Sequence, residues 1–466
     1  MIPVSPEVFL ERKRCMAKTT QVDMLNGTLA DKMVKFALPL AASSILQQLF
    51  NAADLAVVGR FASSQAMAAV GSNSSVISLI LNLFIGLSVG ANVLVAGLIG
   101  KGQKDKINEA VHSIITIAAV SGVIMIALGT IVAPRILVLM GAPEEVMNLA
   151  TLYLRIYFWA MPALMVYNFG SSVLRSKGDS KRPLMAMSAA GVINVVLNLI
   201  LVIFFKLHVI GVAVATVVSN LFSAGIILYI LMHEEEAFRL NFSKLKINMD
   251  NLRAILKVGL PAGLQGIIFS LSNIVIQSSI NSFGADAIAG STAAQNFEFM
   301  VYCVINAFSQ TAVTFTSQNF SARKFDRRRK IFTLSMAIGL CAGAVTGGIF
   351  ALLRNHVIQL FTTDPAVIHF ALIRILIVCL LDWMTGLYEI SGGCLRGMGR
   401  SMTPAMLTVV GSCGVRLIWV WTVVRAFHEF HILVAVYPVS WLITGAMVLT
   451  AYFIARKQLF FDVSAN

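Results

Sequence analysis

The sequence predicts an all-α polytopic membrane protein, with twelve transmembrane helices in two pseudo-symmetric six-helix halves. Three observations carry that prediction. Of the 466 residues 58% are hydrophobic and 12% charged, with a mean hydropathy of +0.82, whereas about 25% of an ordinary soluble domain is charged. Apolar runs recur at the roughly 20-residue length a helix needs to cross about 30 Å of hydrocarbon, and in lipid every backbone amide must be satisfied within its own segment. The chain also repeats itself: LRSKGDSKRPLM at Leu174 to Met185 and LRGMGRSMTPAM at Leu395 to Met406 agree at six of twelve positions, 221 residues apart.

In order, the runs lie at about 33 to 57, 73 to 100, 110 to 133, 146 to 173, 185 to 204, 209 to 232, 253 to 281, 293 to 320, 331 to 352, 366 to 394, 405 to 426 and 432 to 455. At an offset of 221 or 222, Leu38-Pro39 aligns with Leu260-Pro261, Asn51 with Asn273, Phe61 with Phe283, and Asp105 with Asp326. Arg175, Gly178 and Pro183 then align with Arg396, Gly399 and Pro404. The chain thus divides into a tail (1–32), a six-helix lobe (33–232), a charged linker (233–252), a second six-helix lobe (253–455) and a second tail (456–466). An even number of helices per half makes both halves run the same way through the membrane. Parallel repeats of this kind are related by an axis along the membrane normal, with a substrate site between them. Gene doubling also makes channels and scaffolds, but two rigid lobes around a central gap suit alternating access. The repeated basic turn joins the fourth and fifth helices of each half: Gly permits a tight turn, Pro favours the start of the next helix and Arg fixes orientation.

The net charge of +14 raises nucleic acid as a partner, but the basic residues are spread over alternate loops and not gathered on one domain. Of the 36 Lys and Arg, Arg60, Arg135, Lys206, Arg354 and Arg425 fall on the other side, and Arg155, Arg374 and Arg416 lie within helices. That asymmetry predicts a multi-pass protein of the cell membrane with both termini cytoplasmic. The polar first thirty residues, with Arg12, Lys13 and Arg14, lack the apolar core of a cleavable signal, so the first helix is expected to be its own insertion signal. Of the six cysteines only Cys15 is outside the runs; with no CxxC pair and no metal spacing they read as small apolar packing residues.

Polar groups inside the membrane mark the candidate site. In the first run Ser44, Gln47, Gln48, Asn51 and Asp54 recur every three or four residues and so share a face. A bare carboxylate in a low-dielectric bundle is costly, which favours uptake of a proton or a cation and makes Asp54 the leading coupling residue. The other reading is an acid capping the outer helix end near Gly59 and Arg60. Asn194 and Asn198 in the fifth run, and Thr216 and Asn220 in the sixth, either complete a polar pocket around Asp54 or link helices by hydrogen bonds. The seventh run repeats the polar face with Gln265, Ser272, Asn273, Gln277 and Asn281, yet Ile276 stands where Asp54 would be. A single ion site therefore belongs to the first half, and the second supplies substrate contacts. Glu298 in the eighth run and Asp382 in the tenth are further candidates for substrate contact or a second ion site, or else pair internally; Glu389 is on the Asp382 face, and Arg374 is placed to neutralise Asp382 in part. Arg155 and Arg416 read as structural partners of carboxylates or carbonyls, or as snorkelling side chains. Pro39, Pro162 and Pro261 are expected to kink helices, Gly86/Gly90 and Gly343/Gly347 to form close-packing faces, and the 21 Met and 29 Phe to supply adaptable apolar surface.

No GxxxxGK[ST] or HExxH occurs, so neither ATP-driven transport nor zinc-dependent hydrolysis is indicated. An intramembrane enzyme would need a nucleophile with a base or a metal cluster, and the seven histidines show no such grouping.

The segments LPLAASSILQQLFNAADLAVVGR, AVGSNSS, LRSKGDSKRPLM followed by INVVLNLI, and the second-half echoes KVGLP and LRGMGRSMTPAM resemble the multidrug and toxin extrusion (MATE) transporters over essentially the whole membrane region. The resemblance implies two six-helix lobes around a V-shaped cavity, and export of cationic or amphipathic small molecules in exchange for protons or sodium ions. A monomer in the lipid bilayer, with no cofactor and no bound metal, is expected. Asp54 then matches the family's first-helix acid, with Asn194 and Asn198 at the polar positions of the fifth helix. Gln47, Gln48, Asn51, Thr216, Asn220, Gln265, Asn273, Gln277, Glu298 and Asp382 are expected to line the substrate cavity. Some members have Asp where Asn198 stands; the sodium-linked branch has a Glu in the seventh helix, and none occurs between Gly259 and Asn281 here. Asp382 also falls about one turn from that branch's tenth-helix acid, so an Asp54-centred mechanism is favoured. The rival reading is a flippase or exporter of lipid-linked or polysaccharide precursors on a related fold, whose cavity would be rich in basic residues. A major-facilitator transporter would carry an acidic, arginine-rich loop after its second helix, where this chain reads GLIGKGQKDK.

Overall fold

The computed structural model describes residues 21–61, 64–139 and 144–464; Cys15 lies outside them. Among the described residues eleven helices are long and apolar enough to span a membrane, and a bent pair makes a twelfth span. In chain order the spans are α1 (Ala30–Phe61), α2 (Ser64–Gly100), α3 (Lys104–Leu139), α4 (Met147–Phe158 with Met161–Ser176), α5 (Lys181–Phe204) and α6 (His208–Met232). The second half supplies α7 (Met249–Asn281), α8 (Ala285–Ser321), α9 (Phe325–Leu352), α10 (Pro365–Gly397), α11 (Met402–Val424) and α12 (Phe430–Gln458). The protein is a multi-pass membrane protein.

Local chemistry sets the breaks. Pro162 is in the first turn of the second segment of α4, where its missing N–H costs nothing, and the two segments meet at 47°. The Asn248 side chain caps α7, accepting from the Asp250 and Asn251 amides at 2.7 and 3.2 Å, and Asp364 caps α10 ahead of Pro365. The repeated turn is the same structure twice. Gly178 and Gly399 hold φ of +100° and +79°, a conformation open to glycine. The amides of Asp179 and Arg400 then return to the carbonyls of Leu174 and Leu395, at 3.0 and 2.9 Å.

Two large apolar cores, beside two smaller ones, organise the bundle, and they do not follow the chain order. The turns of α1 around Met33, Phe36, Ala37 and Leu40 pack in the second-half core, while its C-terminal turns at Val57 and Val58 pack in the first. Its repeat partner α7 mirrors this, with Ile255 in the first core and Ile276 and Ile280 in the second. Between the halves, α2 and α7 make backbone-close contact through Gly86, Gly90, Gly259 and Gly263. The Gly86/Gly90 face is thus a packing face, as is Gly343/Gly347, which receives Ile305 and the Cys379 carbonyl.

The basic loops, residues 21–29 and the end of α12 lie at one end of the bundle, and there the halves are tied together. Val22 donates to the Gly178 carbonyl at 3.0 Å, Asn319 to Met24 at 3.0 Å and Gln318 to Ser176 at 2.6 Å. Glu234, in the linker, is buried between Lys177 at 2.8 Å and Arg182, which also pairs with Asp179. Burial alone would raise its pKa, but the bonds and charges of Lys177 and Arg182 outweigh burial and hold the carboxyl below the usual Glu range. A depressed folded pKa gives stability that is present above the unfolded value of about 4.3 and is lost as pH falls through the folded one. Glu234→Gln is therefore expected to cost about 2 kcal/mol at pH 7. In thermal unfolding of the full chain in detergent, the gap to wild type should close as pH drops below about 4; a pH-independent gap would remove the ion pair as its cause.

Candidate functional site

Asp54 lies two turns from the end of α1, half-buried, and faces α5. Asn198 Nδ2 donates to its Oδ1, and also to Asn194 Oδ1 at 3.3 Å. Asn194 Nδ2 in turn donates to Ser219 of α6 at 3.4 Å. Both asparagines are buried. Asn198 Oδ1 is fully buried and accepts no hydrogen bond among the described residues. The cluster thus has more acceptors than donors, the arrangement that a proton or a small cation completes. A wider π turn, Ile200–Phe204, begins two residues after Asn198, an irregularity of the kind that recurs at functional sites.

The other residues singled out in the sequence scatter. Thr216 and Asn220 donate to carbonyls of their own helix at 2.9 and 2.8 Å, and Ser219 between them is the α6 residue that reaches Asn194. Gln47 lines a cavity between the halves, described below; Gln48 is half-buried and Asn51 exposed on α1. Gln277 donates along α7 to Asn281 at 3.1 Å.

In the second half three arginines take the polar partners. Arg374 makes a two-pronged pair with Glu298, at 2.7 and 2.9 Å. It therefore does not neutralise Asp382 directly: the π turn Ile375–Cys379 and the tight turn Asp382–Met384 change the helix phase between them. Arg416 donates to Asn273 Oδ1 at 2.9 Å and lies against the Tyr437 and Phe269 rings. Arg396 donates to Gln265 Oε1 at 2.9 Å and lies 3.8 Å from Glu389. Gln265, Asn273 and Glu298 thus present their oxygens to arginines and not to the cavity. Asp382 is buried with Oδ2 unpartnered among the described residues.

The cavity between the halves has a volume of about 150 Å³ and is walled by α1, α2, α4, α5 and α8. That volume takes a group about the size of benzene, so a larger ligand would extend from it along the gap. Its polar groups include Gln47, Asn92, Asn168, Arg175 and Gln310, with Leu40, Ile85 and Met187 among the apolar ones. Sequence reasoning found only Gln47 of these. The others were hidden because membership requires facing the pseudo-twofold axis, which helical spacing within one span does not reveal.

A family model described as MatE matches residues 39–200 and again 261–422. The probable multidrug resistance protein YoeA of Bacillus subtilis is 27% identical over 395 residues, covering 83% of this chain and 85% of that one. The probable multidrug resistance protein NorM of Thermotoga maritima is 25% identical over 401 residues, covering 85% and 86%. Among solved structures, a MOP superfamily transporter from Pyrococcus furiosus superposes with a TM-score of 0.86 at 19% identity, covering 94% of this chain and 98% of that one, which shows a shared fold.

Proposed function

Because the chain belongs to the MatE family, that of the multidrug and toxin extrusion transporters, we propose that it is a secondary active exporter of amphipathic compounds, cationic ones among them. Export is coupled to inward movement of protons or sodium ions across the cell membrane, by alternating access and with both termini cytoplasmic. One observation carries the reading: Asp54 is held by Asn198 in a cluster with a buried, unpartnered acceptor, close to the π turn of α5.

The mechanism follows from what that cluster holds in each state. With Asp54 ionised, its carboxylate accepts from Asn198 and ties α1 to α5. A proton on the carboxyl, or a sodium ion among the carboxylate and amide oxygens, removes the net negative charge and weakens this tie. The α1–α5 packing then changes, substrate is released outward, and the lobes return. An ion drives this only by binding the two arrangements with different affinity; a tenfold difference corresponds to about 1.4 kcal/mol.

Dye efflux from proteoliposomes tests the reading. An imposed pH gradient or an imposed sodium gradient should accelerate efflux of ethidium several-fold over vesicles without a gradient, and the gradient that does so names the ion. Efflux indifferent to both gradients would overturn ion-coupled export.

A further inference from the structure

We infer that the central cavity binds the oxyanion end of an organic amphiphile, a carboxylate, sulfonate or phosphate, at Arg175. The inference deepens the export reading and rests on it for movement across the membrane, but not for binding.

It comes from comparing the two halves position by position. The α4 segment Tyr167-Asn168 to Arg175 aligns without a gap on the α10 segment Tyr388-Glu389 to Arg396, at the offset of 221. In the second half the arginine is compensated: Arg396 has Glu389 at 3.8 Å and Gln265 at 2.9 Å. In the first half Asn168 stands in place of Glu389, and Ser43 in place of Gln265. Neither replaces the lost partner, since Asn168 donates to the Leu164 carbonyl and Ser43 to the Pro39 carbonyl, each at 2.9 Å. Arg175 donates through Nε to Ser171 O at 3.2 Å, and among the described residues no carboxylate pairs with it.

A cavity lies where the acid would be. Ser43, Asn168 and Arg175 all line it, and Arg175 is the only charged side chain among its described lining residues. A half-buried guanidinium on a cavity wall without a counter-charge is free to take one from a ligand, and its planar fork is matched to a carboxylate, sulfonate or phosphate. Gln310 of α8 adds an amide donor from the opposite half, and Leu40, Ile85 and Met187 offer apolar wall to the adjoining part of the ligand. A bound oxyanion thus restores in the first half the charge pair that Arg396 and Glu389 make in the second.

The test compares carboxyfluorescein, which carries carboxylates, with ethidium, a cation, by fluorescence polarisation on the full chain in phosphatidylcholine nanodiscs. Arg175→Gln should lower the ratio of carboxyfluorescein to ethidium affinity at least tenfold, and Asn168→Glu, which rebuilds the second-half pair, should do the same. Arg175→Lys, which keeps the charge but not the fork, should retain most of the ratio. Size-exclusion profile and unfolding temperature certify that each variant is folded. An unchanged ratio in folded Arg175→Gln and Asn168→Glu overturns the site, as does wild-type protein that does not bind carboxyfluorescein at about 1 mM. Phosphatidylglycerol in the nanodiscs distinguishes two sources of the same chemistry. Competition seen in wild type but not in Arg175→Gln supports a lipid headgroup as occupant, and no competition supports a free organic anion. Arg175-dependent binding without gradient-driven efflux of either dye would sink the export reading and leave this site standing.

Discussion

Asp54→Asn is expected to reduce gradient-driven efflux to the level of protein-free vesicles while leaving the protein folded. The substitution keeps the size of the side chain and an oxygen that can still accept from Asn198, so the helices still meet, with the tie held at its weaker, uncharged strength. What it removes is the capacity to change charge. Among the described residues of α1 and α5 that meet at this cluster, Asp54 is the titratable one, its partners being amides and a hydroxyl. Without it the proton or sodium ion has no differential affinity to spend on the conformational change. Efflux from proteoliposomes is the readout, with gel filtration and thermal unfolding as folding controls. Wild-type efflux from a folded Asp54→Asn protein would remove Asp54 from the coupling role.

Gly259→Val is expected to abolish most folded protein. A Cβ at Gly259 would sit 2.6 Å from the Leu87 Cα and 3.0 Å from the Gly86 carbonyl, and both neighbours are backbone of α2. Side chains can turn aside, whereas a helix backbone moves only with its whole packing face, so the α2–α7 seam would have to open. Overpacking of this kind typically costs about 1–3 kcal/mol, and a β-branched residue against backbone falls at or above the upper end. Gly225→Ala on α6 is the control, because a Cβ there meets nothing within 4 Å. Size-exclusion yield and unfolding temperature in detergent give the comparison, with Gly225→Ala at wild-type values. A monodisperse Gly259→Val protein with the wild-type unfolding temperature would show that the seam does not hold the halves together.

Much of this protein is local in origin and therefore legible in the chain. Hydropathy marks the spans because a lipid-crossing segment must satisfy its own backbone, wherever it packs. The doubled turn is legible because Gly178 and Gly399 meet the same backbone demand in two places. Asp54, Asn194 and Asn198 are legible as a group, since a rare membrane carboxylate and a four-residue amide spacing are each visible within one helix. The split of α1 between both apolar cores is not legible, because each of its turns is apolar enough for either.

What tertiary structure alone decided is which partner each buried polar group takes. Spacing within α10 put Arg374 near Asp382, but π and tight turns altered the helix phase and Glu298 arrived from α8. Gln265 and Asn273 lie on the polar face that the sequence showed, yet two arginines from α10 and α11 claim them. The Arg175 cavity emerged only when the halves were folded together, because an arginine's lack of a counter-charge depends on which residues other helices bring within a few ångströms of it. A sequence fixes the face a side chain occupies; the rotation and approach of neighbouring helices fix what that face meets.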